Sequence, residues 1–354
     1  MMFFSMLHTD ITPLISPRAL RQTQPLTPRA AITTQQAREN IQQLLQGNDD
    51  RLLVVIGPCS IDNLGAAFDY AQRLDSLAKS LQDTLIVVMR SYVEKPRSCL
   101  GWKGWINDPH LDGSFDVNYG LKTARSLLLA INELGLAAAT EWVNPFTAPY
   151  LSDLIAWGAF GARTSASPPH RELASNLAYP IGFKNSTDGN IVVAIDAIHT
   201  ARSKHYFFGI NSEGQAAIIH SHGNPYSHII LRGGQQPNYD ASAVQYTLNA
   251  LRANHLKPQL MIDCSHGNSL KNYQQQYHVA KDIAAQIAAG NHAILGVMLE
   301  SYLQPGKQAL SGEAAPCYGQ SITDACLGWR DSVSVLEQLA SAVKQRRASH
   351  KSQS

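Results

Sequence analysis

Eight apolar runs, each ending at a thiol or an ionisable side chain, constrain this chain more than any other feature of it. The first, Leu52-Leu53-Val54-Val55-Ile56-Gly57-Pro58, is almost wholly apolar, the pattern of a strand buried on both faces of a parallel sheet. It stops at Gly57-Pro58 and leaves Cys59 where the chain quits the sheet. Further strands are expected at Leu85–Tyr92, Ala137–Trp142, Phe160–Thr164, Ile181–Lys184, His228–Arg232, Leu260–His266 and Ile294–Glu300. Stripes at helical spacing separate most of them, among them Leu121, Ala124, Leu128, Ile131 and Leu134. Eight strand-helix units fit one closed (β/α)8 TIM barrel. A doubly wound open sheet would more often have fewer strands and a glycine-rich first turn, and no GxGxxG follows the first strand.

The flanks are expected to be simpler. Residues 1–34, with Pro13, Pro17, Pro25 and Pro28, read as an irregular N-terminal arm, and Gln35–Gln46 as the first amphipathic helix, stopped by Gly47. The barrel domain then occupies 35–346, and 347–354 read as a frayed tail. One interruption breaks the strand-helix alternation at about 205–220. There Tyr206–Ile210 and Ala216–Ile219 flank the polar turn Asn211-Ser212-Glu213-Gly214, which makes an inserted β-hairpin suited to regulation or assembly.

Composition narrows the class. Lys and Arg number 29 against 27 Asp and Glu, well mixed, so no basic stripe argues for nucleic acid or an anionic membrane. The apolar opening Met1–Leu7 is too short for a signal core, and no later run has transmembrane length, so a cytoplasmic protein is expected. Five cysteines without a CxxC pair indicate neither a disulfide framework nor an all-thiolate zinc site.

In a barrel of this kind the active site lies at the C-terminal ends of the strands. The residues expected there are Cys59, Arg90 followed by Lys95-Pro96-Arg97, Glu141, Arg163, Lys184, Arg232, His266 and Glu300. Cys59, His266 and Glu300 offer sulfur, nitrogen and oxygen from different strands, and Asp324, in the loop before the last helix, adds a carboxylate. That mixed set suits a catalytic divalent ion with an open coordination position; Zn, Fe(II), Mn and Co all fit. Arg90, Arg163, Lys184 and Arg232 form a cationic rim that calls for anions such as a phosphate and a carboxylate. Singly, each of these residues has an ordinary reading, a buried thiol or a surface ion pair; it is their common position that favours chemistry.

With those residues placed, the chain resembles the class I DAHP synthases (3-deoxy-D-arabino-heptulosonate 7-phosphate synthases), which open the shikimate pathway. The resemblance runs from about Gln36 to Arg346 and is carried by Ile56-Gly57-Pro58-Cys59-Ser60-Ile61, Glu94-Lys95-Pro96-Arg97, Gly161-Ala162-Arg163-Thr164, Gly182-Phe183-Lys184-Asn185, Leu231-Arg232-Gly233-Gly234, Asp263-Cys264-Ser265-His266 and Ser321-Ile322-Thr323-Asp324-Ala325-Cys326. It implies metal ligation by Cys59, His266, Glu300 and Asp324, and phosphoenolpyruvate binding by Arg90, Glu141, Arg163, Lys184 and Arg232. It further implies erythrose 4-phosphate binding by the turn Lys95-Pro96-Arg97-Ser98, with Arg97 on the phosphate and Lys95 near the reacting carbonyl. Lys95 is the expected proton donor, its pKa lowered by surrounding cations. The chain departs from the usual family pattern at Ser98, at Ser165-Ala166 and at Ser186, where the family carries Thr, Thr-Glu and Gly. A homodimer or homotetramer is implied, with an aromatic amino acid binding in a cleft shaped by the arm and the hairpin. Gly209 on the hairpin matches the tyrosine-sensitive type. The nearest alternatives are the related synthase that uses arabinose 5-phosphate, disfavoured by the Lys-Pro-Arg motif, and a binding paralogue without turnover, disfavoured by the four retained ligands.

Overall fold

The computed structural model describes residues 11–97, 100–310 and 316–351. Its strands are β1 (Leu52–Gly57), β2 (Leu85–Arg90), β3 (Ala137–Glu141), β4 (Ile155–Phe160), β5 (Ile181–Lys184), β6 (Tyr206–Ile210), β7 (Ala216–His220), β8 (Ser227–Leu231), β9 (Leu260–Asp263) and β10 (Ile294–Glu300). The α-helices are α1 (Pro17–Thr23), α2 (Pro28–Gln46), α3 (Leu64–Leu81), α4 (Val117–Leu134), α5 (Ala148–Leu151), α6 (Pro168–Asn176), α7 (Val192–Arg202), α8 (Ala241–Ala253), α9 (Gln275–Ala288) and α10 (Trp329–Lys351). Eight strands close into a parallel barrel in the order β1-β10-β9-β8-β5-β4-β3-β2, while β6 and β7 pair antiparallel outside it, as the expected TIM barrel with an inserted hairpin requires.

Alternation along each strand splits the core in two. In β1, Leu53 and Val55 point into the barrel, while Leu52, Val54 and Ile56 point at the surrounding helices. The floor of the barrel is filled by α2, whose Ile41, Leu44 and Leu45 cluster with Leu53, Val55, Met261 and Met298. At the opposite end β1 finishes on Gly57, paired with Glu300. A Cβ there would lie 2.5 Å from the carbonyl oxygen of Arg90, so a side chain would force β1 and β2 apart just below the site.

Four boundaries differ from expectation. The fourth strand is Ile155–Phe160; the expected Phe160–Thr164 is its exit turn, where Thr164 and Ser165 donate their N–H groups to the Gly161 carbonyl. Arg163 therefore sits on a loop above the barrel. The arm contains helix α1, and α2 begins at Pro28 rather than Gln35. Pro17 and Pro28 occupy the first helical turn, where a missing N–H costs nothing, behind the N-caps Ser16 and Thr27. The tail is helical to Lys351: Arg346 is buried and Arg347 pairs with Asp50 at 2.6 Å. Several strands also end earlier than expected, leaving Tyr92, Trp142, Arg232 and His266 just past the ladder. No helix among the described residues is long and apolar enough to cross a membrane. The described cysteines Cys59, Cys264, Cys317 and Cys326 are all free thiols.

Candidate active site

A cavity of about 430 Å³ opens at the C-terminal ends of the strands, and Arg90, Lys95, Pro96, Arg97, Glu141, Arg163, Lys184, Arg232, His266, Glu300 and Asp324 all line it. Ser98, expected beside Arg97, lies outside the described residues. Cys59, fully buried and not itself lining the cavity, brings its sulfur within 4.8 Å of carboxylate oxygens of Glu300 and Asp324, which do line one wall of it. His266 stands at the edge of this group, its Nε2 3.9 Å from Glu300 Oε1. One thiol, two carboxylates and an adjacent imidazole fit a divalent transition metal better than Ca or Mg, which take oxygen shells.

Lys95 faces the same wall and donates to Cys59 Sγ at 2.6 Å and to Asp324 Oδ2 at 2.8 Å. Its environment reverses the expected direction of its pKa. Burial pulls the ammonium down, but the adjacent Cys59 sulfur and the Glu300 and Asp324 carboxylates outweigh it and hold Lys95 above its ordinary range. Burial, with help from Glu300, pushes the Cys59 thiol up to about 12. Burial also opposes ionisation of Glu300, yet His266, Arg90 and Lys95 hold its carboxyl below the usual range.

The four cations of the expected rim divide. Arg90 is buried under the site, stacked 3.6 Å from the Tyr92 ring centroid; it donates to the carbonyls of Pro58 and Cys59 at 3.1 Å and pairs with Glu300 at 3.0 Å. Lys184 is paired with Asp263 at 2.9 Å. Arg163 and Arg232 make no ion pair among the described residues, and burial together with the nearby Arg163 charge lowers the Arg232 pKa. These two guanidiniums, like Arg97, Lys271 and Lys307 on the same cavity, are positive charge without an ion-pair partner among the described residues, suited to phosphate anions. Arg97 is exposed, its Nε donating to the Trp102 carbonyl at 2.8 Å.

Sequence reasoning missed Asp263. Fully buried at the end of β9, it accepts from the Ser265 N–H at 2.9 Å through Oδ1, and its Oδ2 lies 3.0 Å from His266 Nδ1. His266 Nδ1 is also 2.7 Å from Ser265 Oγ, so the Ser265 hydroxyl and the Asp263 carboxylate together flank this nitrogen and leave Nε2 facing Glu300. Burial opposes its charge, but Lys184 and His266 hold it well below the carboxylate range. The signal was present in Asp263-Cys264-Ser265-His266, an acid three residues before the expected ligand. A second omission is Glu94. It is buried, accepts from Thr147 Oγ1 at 2.9 Å and the Asn144 N–H at 3.4 Å, and is raised to about 7 by burial.

The segment that Glu94 grips, Asn144 to Pro149, borders a second, more apolar cleft of about 450 Å³ outside the barrel. Arg21 of α1, Phe146, Pro149 and Asp153 line it, as do Phe207, Gly209 and Ile219 of the hairpin. The arm and the hairpin also touch directly: Arg18 donates its N–H to the Ser212 carbonyl at 2.8 Å and pairs with Glu213. A Cβ on Gly209 would come within 2.7 Å of Ile219 Cγ1, so this position is kept small by its cross-strand neighbour.

The profile of the DAHP synthetase I family matches residues 29–337. This chain belongs to that family. With that membership, the expectation of a 3-deoxy-7-phosphoheptulonate synthase, a transferase, stands. Among curated relatives it is 53% identical over 338 residues to the Phe-sensitive phospho-2-dehydro-3-deoxyheptonate aldolase of Escherichia coli (strain K12), covering 96% of this chain and 97% of that protein. It is 51% identical over 336 residues to the Trp-sensitive enzyme of Buchnera aphidicola subsp. Schizaphis graminum (strain Sg), covering 95% and 97%. The solved structure of phospho-2-dehydro-3-deoxyheptonate aldolase from Francisella tularensis SCHU S4 superposes with a TM-score of 0.93 at 43% identity, covering 95% of this chain and 98% of that one.

Proposed function

We propose that this member of the DAHP synthetase I family condenses phosphoenolpyruvate with erythrose 4-phosphate and water, with a divalent metal held by Cys59, His266, Glu300 and Asp324. The observation that carries the reading is a division of one cavity. Glu300 and Asp324 line one wall with the buried Cys59 thiol within 4.8 Å of their oxygens, and Arg163 and Arg232, which make no ion pair among the described residues, line the same space. The metal would act as a Lewis acid on the aldehyde.

The chain's own residues account for the remainder. Arg163 and Arg232 take the enolpyruvyl phosphate, and Lys184 with Glu141 borders its carboxylate end, so the enol carbon is presented to the aldehyde carbon of the sugar phosphate anchored by Arg97 and Ser98. Lys95 stays protonated and donates to the aldehyde oxygen as negative charge develops there; an alkoxide is the stronger base, so a raised ammonium pKa does not prevent transfer. Carbon-carbon bond formation leaves an oxocarbenium-like centre that water attacks, and inorganic phosphate departs. Arg90 acts from below by holding Glu300. The departures at Ser165-Ala166 and Ser186 remove none of these groups.

The second cleft is read as the effector site, with tyrosine favoured over phenylalanine and tryptophan weakest. Arg21 offers a cation to an amino acid's carboxylate, beside an Asp153 already held by Arg125 at 2.8 Å, and Gly209 leaves room against Ile219. The outer hairpin face exposes Tyr206, Phe208 and Ile218, which supports assembly into a homodimer or homotetramer. A cytoplasmic location is part of the same reading. The deciding assay is phosphate release from phosphoenolpyruvate with erythrose 4-phosphate against arabinose 5-phosphate, before chelation, after it, and after adding back Mn(II), Fe(II), Co(II) or Zn(II). No release with erythrose 4-phosphate under any of these conditions would sink the proposal.

A further inference from the structure

Asp62 has no part in the chemistry above, yet it is a buried carboxylate close to it, and among the described residues it makes no ion pair. Burying a carboxylate is costly unless donors satisfy it. Both of its oxygens are engaged. Oδ2 accepts from the Ile322 N–H at 3.0 Å, and Oδ1 accepts from the Tyr302 hydroxyl at 3.2 Å.

The positions of these partners give the contact its meaning. Asp62 follows Cys59 by three residues, Tyr302 follows Glu300 by two, and Ile322 precedes Asp324 by two. One side chain thus binds together the three segments that carry the clustered donors. A parallel contact reinforces it: Ser60 Oγ and Thr323 Oγ1 are 2.7 Å apart, both buried. An ionised carboxylate accepts at both oxygens, whereas an amide must turn its NH₂ toward one of two existing donors. The residue type therefore matches the task of gripping two donors at once.

We propose that Asp62 is a positioning residue for the metal site, clasping the loops of Cys59, Glu300 and Asp324 through Ile322 and Tyr302. This rests on the metal reading above. Asp62 touches neither metal nor substrate; it acts by fixing the spacing of the donors.

The test uses Co(II) alone, titrated into chelator-treated full-length protein and followed by the thiolate-to-Co(II) charge-transfer absorption. Asp62→Asn should bind 10- to 100-fold more weakly, the usual cost of losing a partner behind a metal's ligands, with an altered absorption band. Tyr302→Phe, which deletes one of the two bonds, should lose about 10-fold, and it carries the test if Asp62→Asn does not fold. Thr34→Val breaks a buried hydrogen bond to Asn132 far from the site and should leave Co(II) affinity unchanged. Wild-type affinity and spectrum in folded Asp62→Asn or Tyr302→Phe would overturn the inference. If the wild-type protein bound no Co(II), the metal reading itself would fall, and this inference with it.

Discussion

Replacing Asp263 by Asn keeps the shape of the side chain and removes one charge, which makes it a direct probe of how the site is held. Asp263 is 0% exposed and its partner Lys184 is 3% exposed, so solvent screens neither. The substitution leaves an ammonium in the barrel without its anion at 2.9 Å, and breaking a buried pair in this way costs about 3–5 kcal/mol. At about 2.1 cal/mol/K per residue, 354 residues have an unfolding entropy of roughly 0.74 kcal/mol/K, so Tm should fall by roughly 4–7 °C. The same change loosens His266, which should weaken Co(II) binding by about 10- to 100-fold. Thermal unfolding of wild type, Asp263→Asn, Lys184→Met and the double variant tests the assignment. The double variant, with no stranded charge, should recover part of the loss. An unchanged Tm in Asp263→Asn, or a double variant that falls by the full sum of the singles, would refute the reasoning.

Cys59→Ala should lose both metal binding and turnover, and full activity in the metal-free variant would remove the proposed role of the cluster. Arg163→Ala should raise the KM for phosphoenolpyruvate far more than that for erythrose 4-phosphate, and Arg97→Ala should do the reverse; matching kinetic signatures would show the cavity to be divided differently. Gly209→Ser crowds Ile219, which lines the second cleft, so it should weaken tyrosine inhibition several-fold relative to phenylalanine. Inhibition titrations with tyrosine, phenylalanine and tryptophan on both proteins decide this, and a wild-type enzyme indifferent to tyrosine ends the assignment.

Much of the barrel is legible because a parallel strand buried on both faces writes itself as an uninterrupted apolar run, as at Leu52–Ile56 and Ile294–Leu299. The fourth strand was misplaced because the short turns from Asn144 to Leu154 blur its start, while Gly161-Ala162-Arg163-Thr164 imitates a strand end. Pro17 and Pro28 read as irregular chain because proline signals a break equally well from just inside a helix. The candidate site was legible where a residue's chemistry is unusual for its position, as with Cys59 or Arg163. It was not legible where a residue acts through another. Asp263, Glu94 and Asp62 declare themselves only through partners, and Asp62 finds its own 240 and 260 positions away. The direction of the Lys95 pKa was missed for the same reason. Sequence placed it among cations, and the folded chain sets it against a thiol and two carboxylates.

The pairing of β1 with β10 is the seam at which the barrel closes, and the clustered donors straddle it. Cys59 follows the end of the first strand by two residues, Glu300 ends the last, and Asp324 lies in the segment after it, 265 positions from Cys59. A chain still being synthesised, or one truncated before its final quarter, holds the cationic residues of β2 to β8 but not the cluster. On the proposed reading, competence for catalysis therefore waits on circular closure, since the donors meet only once β1 and β10 have paired.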